Sequence, residues 1–348
     1  MPDLRTFLQR QFSKSNGAMP FDEFMALALY DPAHGYYGAR IRDVGGDRAD
    51  FATAATLTDA LGSAIAAWVR SERDCFFGGD TVSLIEIGAG SGDLARSVLS
   101  TLGLRGRLGI RYRIVEVSEP LRDLQKRRLR WRGVSWHDSI EEALASSGHE
   151  GLLFSNELFD AFPAKWLKWD AAENTWREIW VTFDESSGLC EEFRPLPSCL
   201  DPTAFSALRR LSGPETPQGQ RVEIQPSARD WIRRVSDHVR RGSLLSIDYG
   251  GAPEDIYARR KAGTLRGFYR HQRVEGGEVY RRFGQQDLTL DVNFTDLQEW
   301  GEESGWSTVR LESQAAFLER FGQGFDAMAG AGVGQAFRVL HQRREVPG

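Results

Sequence analysis

The chain has 348 residues, 41% hydrophobic and 27% charged, enough apolar material for a packed core; this excludes a disordered tail protein, a collagen or a membrane channel. Its net charge of −5, from 44 basic and 49 acidic residues, gives bulk electrostatics no reason to favour nucleic acid. No run reaches the roughly 18 uncharged apolar residues of a membrane span; the best, Ala60–Val69, is closed by Asp59 and Arg70.

In chain order, Leu4, Phe7, Leu8 and Phe12 recur at helical spacing and predict an amphipathic opening helix. Arg5, Arg10 and Lys14 leave a transit peptide as the other reading of that segment. Phe21 to Pro32 reads as a short helix stopped before the proline. The glycine- and aromatic-rich stretch from His34 to Thr56 has neither helical nor strand period and reads as a loop. A helix from about Leu57 to Glu72 follows.

Alternation then begins. Strand-like runs fall at Val82–Ile87, Tyr112–Val117, Gly151–Ser155 and Ser243–Asp248, with helical patterns at Asp93–Leu102 and Glu119–Leu129. Strand, helix, strand, helix implies a doubly wound α/β sheet with parallel strands and right-handed crossovers. Two stretches interrupt it. Residues 164–223 carry Trp166, Trp169, Trp176 and Trp180 and read as an inserted β-hairpin. Residues 250–286 are rich in glycine, arginine and tyrosine and read as a surface lid, centred on Gly263 to His271. The segment AFRVLHQRR is a last strand. Arg105 to Arg132 holds ten Lys/Arg and three acids, mixed with a helical apolar pattern, and reads as a solvated helix face rather than an RNA face. The tryptophans read as hairpin packing, and an exposed hairpin is a candidate homodimer face. His34 and His271 fall in loops, with loop surface as their default place. Three spaced cysteines, Cys75, Cys190 and Cys199, suit a reducing compartment, the cytoplasm, better than a disulfide framework or a zinc site.

The chemistry gathers at strand ends. Ser83 to Leu99 is an apolar strand, then Gly88, Gly90 and Gly92, then a helix, so the backbone can approach a ligand at the carboxyl end of the sheet. The dinucleotide fingerprint needs a glycine where Asp93 stands, and no Lys-Ser/Thr pair follows to make a P-loop. Glu86 near the strand end would repel a pyrophosphate but accept hydrogen bonds from a cationic amino group. That suits S-adenosyl-L-methionine, which carries a sulfonium and an amino acid but no phosphate. Glu116, 24 residues after Gly92, is placed to bind ribose hydroxyls, and Asp138 to accept from an adenine amino group. After the fourth strand, Asn156, Glu157 and Asp160 face the reactive end of the cofactor. Paired carboxylates there can orient an arginine guanidinium as methyl acceptor. Alternatively, Glu157 and Asp160 cap a following helix.

Several blocks carry a family resemblance. FDEFMALALYDPAHGYYG, IEIGAGSGDLA, IVEVSEPLRDLQ, SNELFDAFPAKW, LLSIDYG, GTLRGFYRH, DLTLDVNF and VGQAFRVL occur in order between about Phe21 and Leu340. By these the chain resembles the MidA-like S-adenosyl-L-methionine-dependent methyltransferases, which include relatives of the mitochondrial complex I assembly-factor arginine methyltransferase. The resemblance implies a Rossmann-like class I core with a seven-stranded, mostly parallel sheet, an N-terminal helical cap over residues 1–75, and a core over 76–348 carrying the two insertions. It implies that Gly88, Gly90 and Gly92 line the methionine end of the cofactor and that Asn156, Glu157 and Asp160 border the acceptor. It also implies a protein substrate, such as a respiratory-complex subunit, and a matrix location in a eukaryote. The pattern departs at Ala49 before Asp50-Phe51, at Ala55-Thr56, at Asp291 and at Gln335. These changes touch the acceptor side and leave two rivals to a protein arginine methyltransferase: a small-molecule methyltransferase, and an assembly or binding factor with reduced catalysis. No metal and no nucleic-acid partner is expected.

Overall fold

The computed structural model describes residues 3–40, 55–184, 188–269, 272–322 and 333–346. In chain order these form α1 (Leu4–Lys14), β1 (Ala18–Pro20), α2 (Phe21–Tyr30), α3 (Ala55–Cys75), β2 (Val82–Ile87), α4 (Asp93–Gly106) and β3 (Ile110–Val115). Next come α5 (Glu119–Arg128), β4 (Ser135–His137), β5 (Glu150–Asn156), β6 (Lys165–Asp170), β7 (Thr175–Asp184), β8 (Gly188–Pro195) and β9 (Arg221–Ile224). The later elements used below are β10 (Arg241–Gly251), β11 (Arg266–Tyr269), β12 (Gln272–Glu275), β13 (Asp287–Thr289), β14 (Ser307–Ser313), α6 (Gln314–Phe321) and β15 (Phe337–Glu345). The chain divides into two units. One comprises Met1–Ile41, Asp160–Asp230 and Gly251–Asp296; the other comprises Arg42–Phe159, Trp231–Gly250 and Leu297–Gly348.

The second unit is built on a sheet with strand order β14-β15-β10-β5-β2-β3-β4. From β10 to β4 every neighbouring pair is parallel, while β15 runs antiparallel to both β10 and β14. All six residues of β2 are buried, as a strand covered on both faces requires. Trp68 and Ile65 of α3, Val98 of α4, Leu84, Phe154, Ile247 and Phe317 of α6 share one apolar cluster. Helix α3 therefore packs into the core of this sheet. Strand β2 has β3 on one side and β5 on the other. The connections leave in opposite directions there, which opens a crevice at the carboxyl ends of β2 and β5.

The first unit holds an antiparallel sheet, β1-β7-β6-β9, with β8 on the free side of β7, and a smaller sheet, β12-β11-β13. The hairpin β6–β7 forms where the sequence predicts it, and both of its faces bury side chains: Trp169 and Trp176 share one face and Trp166 lies on the other. Trp169 pairs across the strands with Trp176 at 5.0 Å between ring centroids, and Trp166 packs on Phe21 at 5.2 Å. Trp166, Trp169 and Trp176 are 0%, 2% and 4% exposed, so the exposed aromatic face imagined for a homodimer is absent from them. His34 also departs from its loop-surface expectation: it is buried, stacked on Phe7 at 4.1 Å, with Nδ1 3.3 Å from Asp31 Oδ1. In the lid segment, the buried Glu223 accepts backbone N–H bonds from Thr264 and Leu265 and so ties down the middle of the insertion. His271, Ala49, Asp50 and Phe51 lie outside the described residues.

Candidate functional site

At the end of β2 the backbone turns through three glycines, Gly88, Gly90 and Gly92, with φ of +70°, +51° and +81°. A side chain is strained at such angles. At Gly92, the cap of α4, an added Cβ would also lie 3.3 Å from Gln125 Cγ. The turn follows from the sequence: the ladder continues one step as Gly88 N–H donates to Val115 O at 2.9 Å, then Gly92 N–H closes on Ala89 O at 2.8 Å.

Glu86, one residue inside β2, is 2% exposed and its Oε2 accepts from Tyr112 Oη at 2.7 Å. Burial pushes its carboxyl up to about 7, against the Tyr112 bond that lowers it and with Glu116 adding like charge. Glu116 follows β3 directly and is buried too. Its Oε1 accepts from Ser118 N at 2.9 Å and its Oε2 from Gln125 Nε2 at 2.9 Å. Burial raises this carboxyl as well, against those two bonds.

Gln125 is a linking residue of the candidate site that the sequence reading missed. It is fully buried; besides Glu116, its Nε2 donates to Gly90 O at 2.8 Å, and its Oε1 accepts from Trp136 Nε1 at 3.1 Å. One amide thus links the glycine turn, the second acid and β4. The available signal was a glutamine four residues after Leu121, on the apolar stripe of α5. The structure ties Glu116 to the glycine turn through Gln125; Glu86, on the strand that leads into the turn, bonds separately to Tyr112. It does not join Asp138 to that network directly. Asp138 is 78% exposed at its side chain and pairs with Arg122, which also donates to Glu116 O.

At the end of β5, Asn156 Nδ2 donates to Glu157 Oε1 at 3.1 Å. Asn156 Oδ1 is buried with no hydrogen-bond partner among the described residues. Glu157 has φ +52°, a left-handed backbone at a residue with a long side chain, and its N–H donates to Ile247 O at 2.9 Å. Strain of this kind persists only where surroundings impose it. The imposing group is Asp248, fully buried on β10, which also escaped the sequence reading. Its Oδ2 accepts from Leu158 N at 3.2 Å and Phe159 N at 3.0 Å, and its Oδ1 from Tyr249 N at 3.0 Å. The alternative in which Glu157 and Asp160 cap a helix fails, because only a single 3₁₀ turn, Phe159–Ala161, follows. Asp160 opens the other unit; it is buried there, with Oδ2 accepting from Thr289 Oγ1 at 2.7 Å.

The residues present fit S-adenosyl-L-methionine. The turn has no side chain at Gly88, Gly90 and Gly92, and two buried acids lie near it: Glu86 inside β2, and Glu116, which Gln125 ties to Gly90. Val117, 73% exposed directly after Glu116, offers an apolar surface at the end of β3. A carboxylate has about four acceptor positions, so Glu116 keeps capacity for ribose hydroxyls beyond its two protein donors.

Comparison with known proteins agrees. A family model described as S-adenosyl-L-methionine-dependent methyltransferase matches residues 60–311. The Rattus norvegicus protein named protein arginine methyltransferase NDUFAF7, mitochondrial, is 28% identical over 337 residues, spanning 89% of this chain and 72% of its own. The Homo sapiens protein of that name is 27% identical, with 89% and 71% covered. A crystal structure of a Burkholderia thailandensis protein bound to S-adenosyl-homocysteine superposes with a TM-score of 0.82 at 27% identity, covering 99% of this chain and 92% of that one.

Proposed function

The chain belongs to the MidA-like S-adenosyl-L-methionine-dependent methyltransferases, and on that premise we propose that it methylates an arginine side chain of a protein. S-adenosyl-L-methionine is the cofactor; when bound it supplies an electrophilic methyl group on a sulfonium. In this reading Gly88, Gly90 and Gly92 receive its methionine end. Glu86 accepts from its ammonium group, Glu116 from the ribose hydroxyls and Asp138 from the adenine amino group.

The observation that carries the acceptor assignment is the tip of β5. There a buried oxygen of Asn156 has no partner among the described residues, beside a carboxylate, Glu157, held on a strained turn. An amide oxygen and a carboxylate are acceptor groups, so they suit a cationic, multiply donating acceptor such as guanidinium. Glu157 draws the charge onto the guanidinium nitrogens it faces and leaves lone-pair density on the attacking one. As the new N–CH₃ bond forms, the S–CH₃ bond breaks with its electron pair left on sulfur, and the acceptor nitrogen sheds a proton toward Glu157. Positioning is the main contribution, with reacting atoms about 3–3.5 Å apart. The names of the relatives support a protein arginine as acceptor. Asp160 is the third candidate, with its bond to Thr289 as a competing structural role. The three free cysteines suit the cytoplasm as the working compartment.

The test is incubation of the purified chain with methyl-labelled S-adenosyl-L-methionine and a lysate of its source cells. A labelled protein band supports the proposal. Label confined to small molecules, or cofactor binding without transfer, contradicts it.

A further inference from the structure

The segment Arg105–Arg132, with ten basic residues against three acids, is left unexplained by methyl transfer. Helix α4 ends near Gly106 and α5 ends at Arg128. Both helices run back from the carboxyl ends of β2 and β3, so their last turns lie at the amino edge of the sheet, away from the glycine turn. Arg107 donates to Leu99 O at 2.9 Å through Nε within the end of α4, and Arg132 Nη1 donates to Ser100 Oγ at 3.0 Å, a bond that ties the segment after α5 to α4. Burial, and then the neighbouring charge of Arg132, lower the affinity of Arg107 for its proton. Among the described residues, Arg105, Arg107, Lys126, Arg127, Arg130 and Arg132 make no ion pair with a carboxylate. The same turns present Trp131, 89% exposed, Leu104, 84%, and Leu108, 71%. Trp131 has φ +68°, a left-handed backbone that a bulky side chain rarely adopts, and Arg130 lies over its ring at 5.0 Å.

Basic residues in a last helical turn complement the helix dipole. That accounts for Arg105, Lys126 and Arg127, but not for Arg130 and Arg132 beyond the helix, nor for three uncovered apolar side chains. We infer that this edge docks on an anionic lipid bilayer, with Trp131, Leu104 and Leu108 entering the headgroup boundary and the surrounding cations meeting lipid phosphates. Tryptophan favours that boundary, and a polybasic surface with a few apolar anchors is what reversible attachment needs. Single-stranded nucleic acid fits less well, since it calls for a series of aromatic faces and this edge has one. Docking here leaves the carboxyl end of the sheet turned away from the bilayer.

The experiment is co-sedimentation of the full chain with vesicles of phosphatidylcholine alone or mixed with phosphatidylglycerol. The chain should bind the mixed vesicles, lose that binding as salt rises, and leave the neutral vesicles largely empty. The triple variant Leu104→Ser, Leu108→Ser, Trp131→Ser and the double variant Arg105→Gln, Arg130→Gln should each lower partitioning by more than about tenfold. Calorimetric S-adenosyl-L-methionine binding by both variants should be unchanged, which shows that they fold. Absence of binding to mixed vesicles, equal binding to both kinds, or wild-type binding by both folded variants would overturn the inference. So would capture of an RNA oligonucleotide by a chain that ignores the vesicles.

Discussion

In the proposed cofactor site, Glu86 is the acid whose protonation changes near neutral pH. With its carboxyl pushed up to about 7, it is largely protonated in mildly acid solution and gains its charge as pH rises. A cationic ligand favours the charged form, so S-adenosyl-L-methionine affinity should climb between about pH 6 and pH 8. Calorimetry across that range checks this, and Glu86→Gln should flatten the profile. Tyr112→Phe removes the hydrogen bond that favours the carboxylate, so it should move the rise to higher pH. Linkage gives the opposite sign for the free protein. A raised folded-state value means that the native state holds the proton longer, so the Glu86 contribution to stability falls as pH rises from the usual carboxylate range through about 7. Gln125 is the second decisive residue. Gln125→Leu leaves Gly90 O, Glu116 and Trp136 Nε1 without their partner, at about 1–3 kcal/mol. It should weaken cofactor binding about tenfold or more by the same titration.

At the scale of elements, the turn after β5 is held from outside itself. Asp248 on β10 accepts from two backbone N–H groups of the turn, Leu158 and Phe159, directly after the left-handed Glu157. Asp248→Ala should cost about 2–4 kcal/mol in denaturant unfolding, because buried donors lose a charged acceptor. At temperatures where Asp248→Ala is still folded, its kcat should fall while cofactor affinity stays near wild type. Equal loss of both would assign Asp248 to the fold alone. Neither Asp248 nor Gln125 was legible in the sequence, and the reason is common to both. Their roles depend on register between elements: 90 residues separate Asp248 from Leu158, and 35 separate Gln125 from Gly90. By contrast Gly88, Gly90, Gly92, Glu86 and Glu116 were legible because they lie within a strand and its turn, where spacing along the chain is spacing in space. Asp138 was legible as a strand-end acid, but its bond to Arg122 was not. The tryptophan hairpin was legible as a pair of strands, but what covers its two faces was not; Phe21 of α2 covers Trp166 on one of them.

At the scale of the whole molecule, acid stability is expected to depend on one buried cluster in the sheet-bearing unit. Glu72 on α3 is 3% exposed and accepts from Arg343 Nε at 2.9 Å and NH2 at 2.7 Å, with Ser243 donating as well. Burial opposes the charge of Glu72, but His341, with Nε2 3.5 Å from Glu72 Oε2, and the bonds from Arg343 and Ser243 win and lower its carboxyl to about 2. A depressed value gives stability that is present above the ordinary carboxylate range and is lost as pH falls toward about 2. Glu72→Gln should therefore shift the acid-unfolding midpoint upward, followed by circular dichroism. Arg343→Met should cost about 2 kcal/mol at neutral pH, discounted for the partial exposure of the arginine. The measurement that goes most directly to the central claim is the identity of the methylated atom. Protein labelled by this chain from methyl-labelled S-adenosyl-L-methionine is hydrolysed and its amino acids are separated. The account expects the label in methylated arginine, and little of it when Glu157→Gln is the enzyme although that variant still binds the cofactor. Label in another amino acid, or undiminished arginine methylation by Glu157→Gln, contradicts it.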